Sequence, residues 1–132
     1  MASHVFLGGT CNGSQWRQAL IPKLTCTYFD PVITDREWTT EDGVREQEER
    51  ANSQFCTYVL TPRMEGFASI AEVVQDSNER ALQTILCVLS ADAGQEWTPH
   101  QLKSLEFTKN IVAQNGAYVC GSLDDVAALL NA

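Results

Sequence analysis

Three features of the sequence predict an α/β domain built on a five-stranded, mainly parallel sheet. Short apolar runs recur along the chain, separated by polar stretches with helical spacing. Strands that alternate with helices imply βαβ units with right-handed crossovers. The apolar runs are continuous, as in strands covered on both faces. A flavodoxin-like three-layer sandwich of strand order 2-1-3-4-5 satisfies all three. The 132 residues are the usual size of one domain, so residues 1–132 are read as a single unit.

The elements follow in order. His4 to Gly9 (HVFLGG) is a short apolar run ending in glycines, a strand followed by a tight turn. Ser14 is expected to cap a helix over Trp16, Leu20 and Ile21 toward Leu24. Cys26 to Phe29 is the second strand, and Asp30 to Trp38 the loop after it. Thr39-Thr40-Glu41-Asp42 opens a strongly charged helix through Ala51. Phe55 to Leu60 (FCTYVL) is the third strand, closed by Thr61-Pro62, and Arg63 to Ala68 is a loop. A helix runs from about Ser69 to Arg80. Thr84 to Ser90 (TILCVLS) is the fourth and most continuously apolar strand. Thr98 caps the next helix with Pro99 at its first position. Leu102, Leu105 and Val112 mark its expected buried stripe, and Gly116 ends it. Ala117 to Cys120 is a short fifth strand, and Ser122 caps a last helix over Leu123, Val126, Ala127 and Leu130.

Composition excludes several function classes. The formal net charge is −8 and the nine basic residues are scattered, which argues against a nucleic-acid polymer as partner. A free nucleoside or nucleotide, recognised locally in a pocket, is compatible with that charge. No apolar run approaches the ~20 residues that span a bilayer, so no membrane partner is expected. The N-terminus lacks a basic stretch followed by a long apolar one, so no signal peptide is expected. The five cysteines (Cys11, Cys26, Cys56, Cys87 and Cys120) are odd in number and form no CxxC pair. Four of them sit in apolar runs, the pattern of buried free thiols in a cytoplasmic protein. Their spacing offers no zinc site, and no metal or other cofactor is expected.

In sheets of this order ligands bind at the carboxyl ends of the strands. Three loops should line the site. The first, Gly8 to Ser14, is neither a P-loop nor GxGxxG; it fits a plain βα turn and equally one whose backbone NH groups hold a phosphate or sugar hydroxyl. Gly8, Gly9, Asn12 and Ser14 are the candidates there. The second, Asp30 to Trp38, sets Asp30, Asp35 and Glu37 beside Trp38, so an aromatic can stack a base while a carboxylate bonds its edge. The third, Thr61 to Ser69, brings Met64, Glu65 and Ser69. Ser69-Ile70-Ala71-Glu72 has the form of a capping box, in which Glu72 bonds back to the first helical NH. Helical spacing puts Ser69, Glu72, Asp76 and Glu79 on a polar face, with Ile70, Val73, Val74 and Ser77 inward. The functional alternative uses the same geometry: a carboxylate in the first turn of a helix is held ionised and can attack an anomeric carbon. The charged segment Glu41 to Arg50 reads as a solvated helix face, and His4 and His100 read as structural.

Three stretches resemble the nucleoside 2-deoxyribosyltransferase superfamily, in particular its deoxyribosyltransferase-like branch. They are residues 5–14 (VFLGGTCNGS) with Trp16-Arg17, residues 28–32 (YFDPV), and residues 58–64 (YVLTPRM) continuing through residues 69–78 (SIAEVVQDSN). The resemblance covers residues 5 to about 90 and implies cleavage or transfer of the N-glycosidic bond of deoxynucleosides or their monophosphates. It implies that Glu72 attacks C1′ of the deoxyribose. A deoxyribosyl ester is then resolved by a second base or by water. It also implies that Gly8 and Gly9 line the sugar pocket, that Ser69 bonds sugar or phosphate, and that subunits pair into a homo-oligomer. Family members carry an Asp at the end of the third strand, where this chain has Thr61-Pro62, and another six residues before the nucleophile, where it has Gly66. Asp35 and Glu65 are the expected substitutes for base contact or proton transfer, and Trp38 is expected to stack the base. The rival reading is a non-catalytic nucleotide-binding module that uses the same pocket.

Overall fold

Five parallel strands form the sheet of the computed structural model, which describes residues 2–132. They are β1 (His4–Gly9), β2 (Thr27–Phe29), β3 (Phe55–Leu60), β4 (Thr84–Val88) and β7 (Tyr118–Cys120). Their order is β2-β1-β3-β4-β7, which is 2-1-3-4-5 when only this sheet is counted. A separate antiparallel ribbon joins β5 (Ala91–Asp92) to β6 (Gln95–Glu96). The helices are α1 (Trp16–Leu20), α2 (Thr40–Asn52), α3 (Ala68–Glu79), α4 (Pro99–Gln114) and α5 (Leu123–Asn131). The fold is therefore the flavodoxin-like α/β sandwich that the alternation predicts.

Because side chains alternate across a strand, the sheet divides the core in two. Val5, Leu7, Val59, Ile85 and Cys87 point to one face, where Trp16 and Leu20 of α1 and Val126 and Leu130 of α5 cover them. Phe6, Cys56, Tyr58, Leu60 and Leu86 point to the other, against Val73 of α3 and Leu105 and Val112 of α4. Helix α2 contributes no fully buried residue to either layer.

Several local expectations are corrected. Helix α1 is short, and its N-cap position is Gln15, without a side-chain cap bond. Ser14 instead donates its hydroxyl to Asp92 at 2.6 Å. Helix α3 starts at Ala68, one residue early, and no capping box forms at Ser69. Strand β4 stops at Val88. The ribbon beyond it turns at Ala93 and Gly94, both at positive φ (50° and 82°), as a two-residue primed turn requires. Leu102 is exposed, while Leu105 and Val112 are buried as expected. The thiols of Cys56 and Cys87 are buried, and burial pushes each up to about 12. Cys26 and Cys120 are half-buried and Cys11 is exposed, so the buried reading holds for two of the five. No helix among the described residues is long and apolar enough to cross a membrane.

Two glycines let β1 and β3 approach beneath the strand ends. A Cβ on Gly8 would sit 2.7 Å from the Tyr58 ring. Gly9 has φ +119°, and a Cβ there would collide with the Val59 backbone, which cannot move without breaking the sheet. Gly9→Ala should therefore cost about 3 kcal/mol or more in urea unfolding. Gly121→Ala, which meets nothing within 4 Å, should change stability by less than about 1 kcal/mol.

Candidate functional site

The carboxyl ends of β1, β2 and β3 open into one cleft of about 400 Å³. Its floor is the turn after β1. Thr10 NH bonds Val59 O at 2.9 Å, and Thr61 NH bonds the Thr10 hydroxyl at 2.9 Å, pinning the turn to β3. Arg17, from α1, is buried beneath the turn. Its guanidinium donates to Leu7 O at 2.9 and 3.1 Å and to Thr10 O at 2.8 Å. Trp16 Nε1 also donates to Thr10 O at 2.8 Å. Asp30 lies 3.4 Å from Arg17 and compensates its charge. Burial lowers the Arg17 pKa, yet a guanidinium remains protonated in a protein. Its NH groups are engaged by backbone carbonyls, so it shapes the floor.

The candidates from the sequence divide cleanly. Gly8, Gly9, Asn12, Trp38, Met64, Ser69 and Glu72 all line the cleft. Ser14, Asp35 and Glu65 are outside the lining. Ser14 is buried against Asp92, which also accepts from the Thr61 hydroxyl at 2.6 Å; this clamp ties the β5–β6 ribbon to the site loops. Asp35 is exposed in its loop. Glu65 grips Asn12: its carboxylate accepts from Asn12 Nδ2 at 2.8 Å, and its NH donates to Asn12 Oδ1 at 3.1 Å. Asn12 adopts φ +40°, the left-handed region that Asn tolerates, and its carbonyl accepts from Arg63 at 3.1 and 3.2 Å. Trp38 stands at the rim, 59% exposed, over Gly43, where a Cβ would come 2.8 Å from the ring.

Glu72 is half-buried in the cleft wall. The N-cap of α3 is Phe67, which makes no side-chain cap bond. With Ala68 as the first helical residue, Glu72 is the fifth, two positions past the capping-box site and beyond the first turn, so neither the cap nor the first-turn carboxylate expected from the sequence is found. Its carboxylate is therefore not engaged as a cap. Burial raises its pKa, opposed by the Arg50 guanidinium 3.7 Å away and by the Gln47 side chain. A second carboxylate, Glu46 of α2, lines the same cleft. Burial raises its pKa as well, and the negative charge of Glu72 adds to the rise. Arg17, lining the same cleft, opposes that rise from farther away. Two carboxyls thus face one cleft, and only Glu72 has an arginine within 4 Å.

Behind Glu72 lies a buried polar cluster. Asp76, one turn further along α3, is 4% exposed. It accepts the Tyr58 hydroxyl on one oxygen and the Arg50 guanidinium at 3.1 and 3.3 Å. Arg50 Nε also donates to the Tyr58 oxygen at 2.9 Å. Burial, with the Asp76 carboxylate beside it, pushes the Tyr58 phenol far above its ordinary pKa, so it stays neutral. The polar face assigned to α3 is real, but at Asp76 it faces Arg50 and Tyr58 instead of water. The solvated-face reading of residues 41–50 is corrected likewise, since Glu46 and Arg50 turn inward. Helix α2 is held by polar contacts along its length. Thr39 and Asp42 form a capping box at its start, reinforced by Arg36 at 2.7 Å. Glu49 meets His4 at 3.1 Å. At its end Arg80 donates to the carbonyls of Arg50, Ala51 and Ser53 at 3.3, 3.2 and 2.6 Å.

Sequence reasoning therefore missed Arg17, Glu46, Arg50, Tyr58 and Asp76. The legible signals were Tyr58, whose hydroxyl needs a partner if the strand is buried, and the i, i+4 pair Glu46–Arg50. Among the described residues no group of three or more His, Cys, Asp or Glu side chains could hold a metal ion. No family model, curated protein or solved structure matches the chain.

Removing the Tyr58 hydroxyl while keeping its ring leaves Asp76 and Arg50 each one partner short in a buried place. Tyr58→Phe should lose about 1–3 kcal/mol in urea unfolding. A loss below about 0.5 kcal/mol would show that the hydroxyl is not engaged as described.

Proposed function

We propose that the cleft breaks or transfers the N-glycosidic bond of a small deoxynucleoside or deoxynucleotide, with Glu72 as nucleophile and Glu46 as proton donor. The observation that carries this reading is the pair itself: two half-buried carboxyls on one cleft, Glu72 free of any capping role and 3.7 Å from Arg50, Glu46 with no arginine within 4 Å and only the more distant Arg17 acting on it. Environments that separate two carboxyls in this way divide acid from nucleophile. Asp35 and Glu65, expected from the sequence to handle the base, lie outside the lining, so Glu46 takes the proton-transfer role.

In the first step a Glu72 oxygen bonds to C1′ as the C1′–N bond breaks. Glu46 gives its proton to the departing base. In the second step water, or the nitrogen of an acceptor base, attacks C1′ and returns a proton to Glu46. The ester bond breaks, and Glu72 leaves as the carboxylate. Two inversions give net retention. Trp38 stacks the base, Met64 supplies an apolar wall, and Ser69 and Asn12 offer hydrogen bonds to the sugar or a phosphate. Gly8 and Gly9, lacking side chains, let the sugar approach the strand ends. A homo-oligomer belongs to the same proposal and rests on the family resemblance; a cytoplasmic location rests on the pattern of free cysteines.

Wild type should release free base from at least one member of a panel of deoxynucleosides and deoxynucleoside monophosphates, followed by chromatography. Folded Glu72→Gln should release none. Binding without release by wild type would replace the enzyme with the non-catalytic module. The pH profile should be bell-shaped. Activity falls as pH drops and Glu72 is protonated, and falls as pH rises and Glu46 loses its proton. Both limbs should lie above the ordinary glutamate range, because both pKa values are raised. Glu46→Gln should slow release of natural bases by about 10²–10⁴-fold, with far less effect on a deoxyriboside whose leaving group needs no proton.

A further inference from the structure

We propose that Arg50 is the positioning residue of this cleft: locked from behind by Tyr58 and Asp76, it aims Glu72 and keeps its carboxylate charged without binding it. The inference rests on Glu72 being the reactive group, and it assigns a role to a cluster that the reaction itself does not touch.

The guanidinium is fixed on nearly every side. Nε donates to Tyr58 at 2.9 Å, and Nη2 to Asp76 at 3.1 Å and to Gln75 Oε1 at 2.9 Å. Nη2 also reaches the Glu72 carbonyl at 3.3 Å, and Nη1 reaches Gln47 Oε1 at 3.2 Å. Bonds to β3, to α3 and within α2 thus hold one planar group. A planar fork of donors can do this, whereas a lysine, a single point charge, cannot.

The nearest approach of Arg50 to the Glu72 carboxylate is 3.7 Å, beyond hydrogen-bond range. At that distance Arg50 acts through its field and leaves the oxygen lone pairs free to attack carbon. A bidentate pair would hold Glu72 more tightly and make it a poorer nucleophile. Asp76 takes the donors that would otherwise form that pair.

The charges around Glu72 set the expected signs. Arg50 of α2 is positive, while Glu46 of α2 and Asp76 of α3 are negative. Arg17 of α1, across the cleft, is positive, and Tyr58 of β3 is neutral. Removing the Arg50 charge should make Glu72 harder to ionise. Removing the Asp76 charge should make it easier, although both residues belong to one cluster. A purely structural role would move Glu72 in one direction for both variants, or not at all.

The test is a 13C NMR titration of the glutamate side-chain carboxyls, with the Glu72 signal assigned by its loss in Glu72→Gln. It needs no substrate. The Glu72 midpoint should rise by about one pH unit or more in Arg50→Gln. It should shift less in Arg50→Lys, which keeps the charge but loses the fork that fixes its position, than in Arg50→Gln, and fall in Asp76→Asn. If Arg50→Gln does not fold, the Arg50→Lys and Asp76→Asn titrations decide. Midpoints that do not move, or that move together, overturn the role of Arg50. Opposite shifts together with an absence of base release from any substrate would retain the electrostatic role and remove the glycosidase reading. Where base is released, the acidic limb of the rate profile should move with the titration.

Discussion

The carboxylate of Asp76 is the constraint on which the site depends. A charged group almost wholly withdrawn from water is tolerable only when its oxygens are filled by good donors. Tyr58 and Arg50 fill them, and they come from a strand and from a different helix. One buried charge therefore fixes three elements against one another: β3 in the sheet, α3 above it, and α2 at the edge. Glu72 lies one turn before Asp76 on α3, and Glu46 one turn before Arg50 on α2. The two carboxyls of the cleft inherit their positions from the pair that binds their helices together.

Helix α2 shows how far this departs from ordinary packing. A helix usually docks by an apolar stripe. This one buries no residue and is held by its capping box, by Arg50, by the Glu49–His4 contact and by Arg80 on its last carbonyls. Directional bonds of that kind specify position more narrowly than hydrophobic contact does, because each fails beyond a few tenths of an ångström. The wall carrying Glu46 is thus placed by geometry more than by volume. The clamp of Ser14 and Thr61 on Asp92 uses the same kind of bond outside the cleft lining, tying the β5–β6 ribbon to the loops after β1 and β3.

How much of this could be read beforehand follows from the kind of interaction involved. The five sheet strands were legible because continuous apolar runs between helical segments have one economical arrangement. Seven of the ten candidate residues line the cleft because loop placement follows from strand order. The ribbon at residues 91–96 was not legible, since two-residue strands carry no periodicity. The segment Ser69-Ile70-Ala71-Glu72 misled for a different reason. Thr98 with Gln101 and Thr39 with Asp42 have the same spacing and do form capping boxes. At Ser69 the N-cap falls two residues earlier, at Phe67, and a shift of two positions separates a capping glutamate from one that faces a cleft. Local sequence cannot register that shift. The inward turn of Glu46 and Arg50 was hidden as well: a helix rich in both charges looks solvated unless the buried acid that attracts it is known.

The two inward arginines make the same point about function. Both lie at the cleft or directly behind its wall, and both use several NH groups at once. Arg17 directs its donors at backbone carbonyls, so its charge is absorbed in shaping the glycine turn. Arg50 directs most of its donors at a carboxylate, an amide and a phenol, and Nε, already committed to Tyr58 and Asp76, comes no nearer than 3.7 Å to the Glu72 carboxylate. Exchanging the roles would fail. An arginine on carbonyls alone would leave Asp76 unpaired, and an arginine without Asp76 would close onto Glu72 and occupy its lone pairs. The reactivity of the cleft thus comes from the partners that restrain its cations more than from the number of charges lining it.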